Sequence, residues 1–227
     1  MLRVRIATLP CASMQLHFRI FINFPQKPYI YERLLHTMSF FDDTKNVGLL
    51  LLIIALVGIV MSVVALFLLD DYKDLDMWKK IVALVGSVIG AVIYAIIGLG
   101  IMKGQCLIQI GGLFSDVKSK FGVLVAGTAG VGLSELVEGI FSIVAYGGTN
   151  AGTIVIAVLL LVMAWLMVDG GKLAGNIIWI VLLILYILGI IFSIIAILAL
   201  IGIPLLLLYI MLLLFLLSPE VKSRMGI

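Results

Sequence analysis

The long apolar stretches of this chain contain almost no charge, no cysteine and no histidine. Only 12% of the 227 residues are charged, whereas soluble domains typically carry about 25%. The two cysteines, Cys11 and Cys106, could form at most one disulfide, and both histidines lie within the first 36 residues. Because the apolar stretches lack Cys and His, we expect no metal site, no cofactor and no nucleophile–base pair there. The sequence therefore favours a protein that is not an enzyme.

Apolar residues make up 64% of the chain, and the mean hydropathy is +1.32. A water-soluble core could not bury such an excess, so much of it must face lipid. We therefore expect an integral membrane protein, with the lipid bilayer as its surroundings. The final residues, LLSPEVKSRMG, resemble the ends of small prokaryotic multi-spanning proteins. That resemblance implies no activity, but it favours the plasma membrane of a prokaryote.

Residues 1–46 form a separate N-terminal tail without a single glycine. Residues 1–37 carry a net charge of +4, and the rest of the chain carries −1. This distribution gives no reason to expect a nucleic-acid partner. The basic and aromatic tail fits a membrane-surface segment or a targeting peptide. Alternatively, translation begins at Met38, and residues 1–37 are absent from the mature protein.

Six transmembrane spans are predicted within a helical domain at residues 47–217, which is followed by a cytoplasmic tail at 218–227. A span requires about 20 apolar residues. The predicted spans are 47–69, 81–102, 123–146, 152–168, 177–200 and 203–217. The last two come from one charge-free stretch, which as a single helix would be about 60 Å long. Gly202 and Pro204 favour a turn within it, although a five-span arrangement stays open. The fold class is thus an all-α polytopic bundle.

The distribution of basic residues predicts the orientation of the bundle. With six spans, 12 of the 15 Lys and Arg residues fall on the side that holds both termini, so both termini are expected in the cytoplasm. Three tryptophans, Trp78, Trp165 and Trp179, lie near span ends and are expected to anchor them in the membrane interface. Between the second and third spans, QIGGLFSDVKSKF has apolar residues on one helical face. This pattern predicts a short helix lying in the interface.

Small residues recur at four-residue spacing in two of the spans. Small side chains at this spacing lie on one helical face and allow a neighbouring helix to approach closely. The partner helix could belong to this chain or to another subunit, so a homo- or hetero-oligomer is possible. The helix-packing residues are Gly86 and Gly90 in the second span and Gly122, Ala126 and Gly130 in the third.

The same ladder continues into polar residues in the third span: Ser134, Glu138 and Ser142. Glu135 lies about 60° from Glu138 around the helix, so both carboxylates should face the small-residue side. No Lys or Arg lies inside a predicted span to neutralise them. The glutamates could be protonated, could bind a cation with the two serines as further oxygen ligands, or could lie close to an interface.

A carboxylate inside a membrane span is by default a candidate functional group. The leading hypothesis is therefore a small transporter-like protein that handles protons or a small cation through Glu135 and Glu138. The alternative is a non-catalytic membrane scaffold or accessory subunit. In that case the glutamates only hydrogen-bond neighbouring helices, and the small-residue faces bind other proteins.

Overall fold

The computed structural model describes residues 40, 42–68, 75–106, 112–147, 151–169, 171–195 and 202–227. Within these ranges the regular structure consists of α-helices and includes no strand. The helices are α1 (Thr44–Leu68), α2 (Met77–Lys103), α3 (Lys120–Tyr146), α4 (Ala151–Asp169), α5 (Gly171–Ile195), α6 (Gly202–Leu217) and α7 (Pro219–Met225). The expectations for residues 1–39, including the start at Met38, lie outside the described residues.

Five helices, α1 to α5, are long and apolar enough to cross a membrane. The short helix α6 passes the same test only together with α7, from which it is bent by 61°. The described residues therefore form an all-α polytopic bundle with five or six spans, as predicted. Helix α5 begins at Gly171, six residues before the predicted start of its span at residue 177. A helix can extend beyond the membrane, so the helix start does not fix the boundary of the span.

Polar contacts bring both ends of the described chain to one face of the bundle. Lys120 Nζ lies 2.7 Å from a carboxylate oxygen of Asp42, just before α1. Arg224 of α7 lies 3.2 Å from Asp116, which precedes α3. We call this end of the bundle the terminal face and the opposite end the distal face. Since α5 leaves the terminal face and α7 is back at it, α6 returns across the bundle.

Helix α3 is the central element of the bundle. In its apolar 18-residue stretch, 67% is buried inside the protein, against 22–39% in the corresponding stretches of the other four long helices. Its glycines allow this, because a residue without Cβ lets a neighbouring helix approach closely on each side. The positions where a Cβ would meet another helix include Gly130 against Ile97 of α2, Gly139 against Ile154 of α4, and Gly127 against Leu212 of α6.

The segment before α3 does not form the predicted interfacial helix. Residues 112–119 are turns and irregular backbone, and Phe114 and Val117 are buried in the protein core. The carboxylate of Asp116 accepts hydrogen bonds from the backbone of Lys118 and Ser119 and from the Ser119 hydroxyl. Such local bonds compete with helix formation. The prediction is therefore wrong over the described part of this segment.

The two halves of the bundle are packed differently. The terminal half holds most of the fully buried large side chains, including Leu51, Ile97, Leu124, Leu182 and Leu212. The distal half contains the cavities beside the glutamates, and a further cavity of ≈ 140 Å³ lies at the terminal end of α3, beside Asp116 and Arg224. The protein between the glutamates and that end is thus tightly packed, and the distal half is looser.

Candidate functional site

Glu135 and Glu138 lie just beyond the midpoint of α3, on its distal side, and both are partly buried. Glu138 faces α2 at Gly90. A Cβ on Gly90 would lie 2.8 Å from Ser134 Oγ and would also meet the Glu138 carboxylate. The absence of a side chain at Gly90 therefore makes room for the two polar groups. Ser134 Oγ is fully buried and makes no hydrogen bond of good geometry with the described residues, although Tyr94 and Glu138 are its neighbours.

A first cavity lies between α1, α2 and α3, and we call it the two-glutamate cavity. Its volume is ≈ 300 Å³, and both glutamates line it together with Ser62, Ser87 and Tyr94. A neighbouring cavity of ≈ 130 Å³ shares Ser62, Ser87 and Glu138 with it and adds the polar residues Ser142 and Tyr146. Hydroxyl groups and carboxylates thus follow one another along this side of α3.

A second cavity lies on the other side of α3, between α4, α5 and α6, and we call it the apolar cavity. It has a volume of ≈ 280 Å³. Among the described residues, its walls are mainly aliphatic and aromatic side chains, and Glu135 is the one charged residue in them. The lining residues are Glu135, Thr153, Ile156, Leu160, Leu185, Leu188, Gly189, Phe192, Ser193, Leu205 and Tyr209.

Glu135 lines both cavities. Among the described residues, its carboxylate has no hydrogen-bond donor and no ion-pair partner. No Lys, Arg or His is among the described residues that line either cavity. A carboxylate in such surroundings must take up a proton, water or a cation, because an unpaired charge is costly to bury.

A layer of hydroxyl groups closes the site toward the terminal face. The hydroxyl groups of Thr128 and Tyr186 lie 2.6 Å apart and are buried, and Thr128 also donates to the carbonyl oxygen of Leu124. The ring of Tyr186 lies 6.4 Å from that of Tyr209, which reaches the apolar cavity. Below this layer the protein is filled by the buried side chains of the terminal half.

Sequence reasoning did not single out Ser62, Ser87 and Thr128. Ser62 of α1 and Ser87 of α2 are isolated hydroxyl residues in apolar spans at a depth close to that of the glutamates, and that shared depth was the available signal. Thr128 lies on α3 itself, about 10 Å closer to the terminal face than Glu135. The rotation of α1 and α2 about their own axes was needed to show that the two serines face α3.

The predicted packing residues make contacts within the chain. Gly86 faces Phe141 of α3, and Gly90 faces Ser134 and Glu138. On α3, Gly130 packs against Ile97, Ala126 is fully buried, and Gly122 contacts the backbone of Asp116 in the preceding turn. These small residues join α2 to α3 and α3 to its own capping segment.

The three predicted anchors differ in their surroundings. Trp78 and Trp165 are exposed on the outside of the bundle, with exposed fractions of 53% and 59%. Trp179 is partly buried instead, and its indole N–H donates to the carbonyl oxygen of Leu216 at 3.1 Å. Trp179 therefore also ties the start of α5 to the end of α6.

Comparisons with protein-family models, curated proteins and solved structures found no match to this chain. Among the described residues, no three His, Cys, Asp or Glu side chains come together as metal ligands. The fold and the apolar helices define a multi-pass helical membrane protein. Its specific role must be argued from the glutamates and the cavities beside them.

Proposed function

We propose that this protein handles protons or a small cation as a small transporter-like protein, with Glu135 and Glu138 as the coupling residues. The observation that carries the proposal is the position of Glu135, without a partner among the described residues and in the wall of two cavities. We place the protein in the plasma membrane of a prokaryotic cell, with the terminal face in the cytoplasm, as the distribution of basic residues favours.

The groups around the glutamates suit exchange of a proton or cation. Among the described residues, the other titratable side chains in the walls of the same cavities are Tyr94 of α2, Tyr209 of α6 and Tyr146 of α3. None of these is basic, so none can form a permanent ion pair with a carboxylate. Ser134 and Ser142 remain the serines of α3 that could add oxygen ligands beside Glu138.

The scaffold hypothesis draws less support from the same contacts. It relies on small-residue faces that bind other proteins. In the described residues, Gly86, Gly90 and Gly130 are each covered by a neighbouring helix of this chain. A scaffold would have to use other surfaces of the bundle.

The proposal is tested by flux measurements on purified protein in liposomes that carry a pH or cation gradient. We expect Glu135→Gln together with Glu138→Gln to lower the flux by about tenfold or more, because the amides cannot release a proton or neutralise a cation. Glu220→Gln, which changes an exposed acid on α7, is the matched control and should leave the flux unchanged. Equal flux through the wild type and the double variant would support the scaffold instead.

A further inference from the structure

The apolar cavity has the properties of a binding site for an organic cation. Building on the proposed function, we propose that it binds a lipophilic monovalent cation, such as a substituted ammonium ion, and that Glu135 is the counter-ion. This names the class of substrate that the glutamate site would take.

The size of the cavity limits the ligand. Its volume of ≈ 280 Å³ is close to the lower end of the range for small-molecule pockets, about 300–1,000 Å³. A cation of about a dozen non-hydrogen atoms would fit without moving the helices. Larger ligands would have to displace side chains at the rim.

The chemistry of the walls distinguishes an organic cation from an inorganic one. Metal ions such as Ca²⁺ and Mg²⁺ require about six oxygen ligands. Among the described residues, the side chains of the apolar cavity offer the Glu135 carboxylate and three hydroxyl groups, those of Thr153, Ser193 and Tyr209. An alkylated ammonium ion is weakly hydrated and needs no such shell. The rings of Phe192 and Tyr209 in the wall could add cation–π attraction.

The rim of the cavity favours entry from the lipid. Three lining residues, Ile156, Leu188 and Phe192, have exposed fractions of 46%, 42% and 60% on the outside of the bundle. These side chains belong to α4 and α5, whose outer surfaces would contact the bilayer. A lipophilic cation concentrates in a membrane and could reach Glu135 between these two helices.

The two-glutamate cavity gives the proton a separate route. Glu135 also lines the two-glutamate cavity, where Glu138 and Tyr94 are the other titratable groups among the described residues, while Tyr209 of α6 lies in the wall of the apolar cavity. A single carboxylate cannot hold a proton and an ammonium ion at once. Binding of the cation to protonated Glu135 therefore releases one proton, which leaves through the two-glutamate cavity, and reprotonation expels the cation.

The test is equilibrium binding of radiolabelled benzyltrimethylammonium to the purified full-length protein in detergent. We expect saturable binding that weakens as the pH falls. Glu135→Gln should weaken it by about tenfold or more, since a buried cation would lose its counter-ion. Unlabelled benzyltrimethylammonium should compete, whereas neopentylbenzene, its uncharged analogue of the same shape, should not.

A pair of phenylalanine substitutions on α4 tests whether the cation binds in the apolar cavity. Thr153→Phe fills the apolar cavity while keeping Glu135, and it should abolish binding. Val155→Phe adds the same ring to the same helix at a position that is 67% exposed, and it should bind like the wild type. If Thr153→Phe does not fold, the Glu135→Gln variant and the competition experiment decide the question.

Three results would overturn the proposal: wild-type affinity in Glu135→Gln, wild-type affinity in a folded Thr153→Phe, or equal competition by neopentylbenzene. The last would indicate a cavity for an uncharged apolar group such as a lipid chain. Absence of binding together with glutamate-dependent flux would reject the organic cation alone. Binding together with glutamate-independent flux would reject the proposed function alone.

Discussion

At the scale of single residues, Glu135 and Glu138 are close in sequence but have different neighbours. The helical wheel separates them by about 60°, and both were expected to face the small-residue side. Glu138 does face the interface between α2 and α3, where it lies beside Gly90 and Ser134. Glu135 also reaches the apolar cavity on the far side, because α3 is surrounded by helices. Their roles can therefore be separated by single substitutions.

A substitution at Gly90 tests how tightly α2 packs against α3 beside Glu138. Gly90→Ala should destabilise the protein by about 1–3 kcal/mol, because the added methyl group overpacks the contact with Ser134 and Glu138. Gly152→Ala is the matched control, since a Cβ there has no heavy atom within 4 Å. Thermal unfolding in detergent, followed by circular dichroism, measures both. Equal melting temperatures for the two variants would contradict this account of the α2–α3 contact.

At the scale of the helices, α3 depends on the turn that precedes it. Ser119 is the N-cap residue, and its hydroxyl accepts a hydrogen bond from the backbone N–H of Gly122. The Ser119 hydroxyl also donates to Asp116, and this bond is the main reason why the pKa of Asp116 lies below its usual value. The Asp116 carboxylate also pairs with Arg224. One short segment thus joins the start of α3 to α7.

The lowered pKa of Asp116 predicts a pH dependence. Its carboxylate stabilises the fold above the ordinary pKa of about 3.9, and this contribution is lost as the pH falls through the lower pKa of the folded state. Asp116→Asn should cost less than about 1 kcal/mol at neutral pH, since the group is partly exposed. The difference from the wild type, measured by thermal unfolding, should shrink in acid.

Asp76→Asn is the control for this effect. Asp76 also precedes a helix, α2, but its side chain makes no capping hydrogen bond. We expect a smaller loss of stability from this substitution. A loss at Asp116 that stayed constant down to about pH 2 would rule out the carboxylate as its source.

The sequence predicted the helices better than it predicted the connecting segments and the cavities between the helices. Charge-free runs placed the starts of α1 to α4 and of α6 within four residues, because the need to bury apolar surface in lipid dominates there. The helix predicted over the segment before α3 was wrong for residues 112–119, because the local hydrogen bonds of Asp116 compete with it there. The spans alone could not reveal the cavities, which depend on how Ser62, Ser87 and Tyr209 are rotated toward α3.

At the scale of the whole molecule, the terminal and distal faces can be distinguished by labelling. In a variant with Cys11 and Cys106 replaced by Ser, a single cysteine is introduced as Asp76→Cys at the distal face or as Ser223→Cys at the terminal face. Both positions are exposed. From the excess of basic residues at the terminal face, we expect a membrane-impermeant maleimide to label only Asp76→Cys in intact cells.

Ser223→Cys should become reactive once the membrane is permeabilised. The opposite labelling pattern would invert the orientation, and labelling of both positions in intact cells would contradict the return of α6 across the bundle. The arrangement of the helices around Glu135 would be the same in either orientation.

The packed terminal half also has an electrical consequence. A charge on Glu135 is separated from the terminal face by the buried side chains of that half, whereas the cavities lie between it and the distal face. Most of a membrane potential would therefore fall across the packed half. Each elementary charge that crosses the full potential changes in energy by about 2.3 kcal/mol per 100 mV. Ion entry from the distal side should thus depend little on voltage, and passage to the terminal side should depend on it strongly.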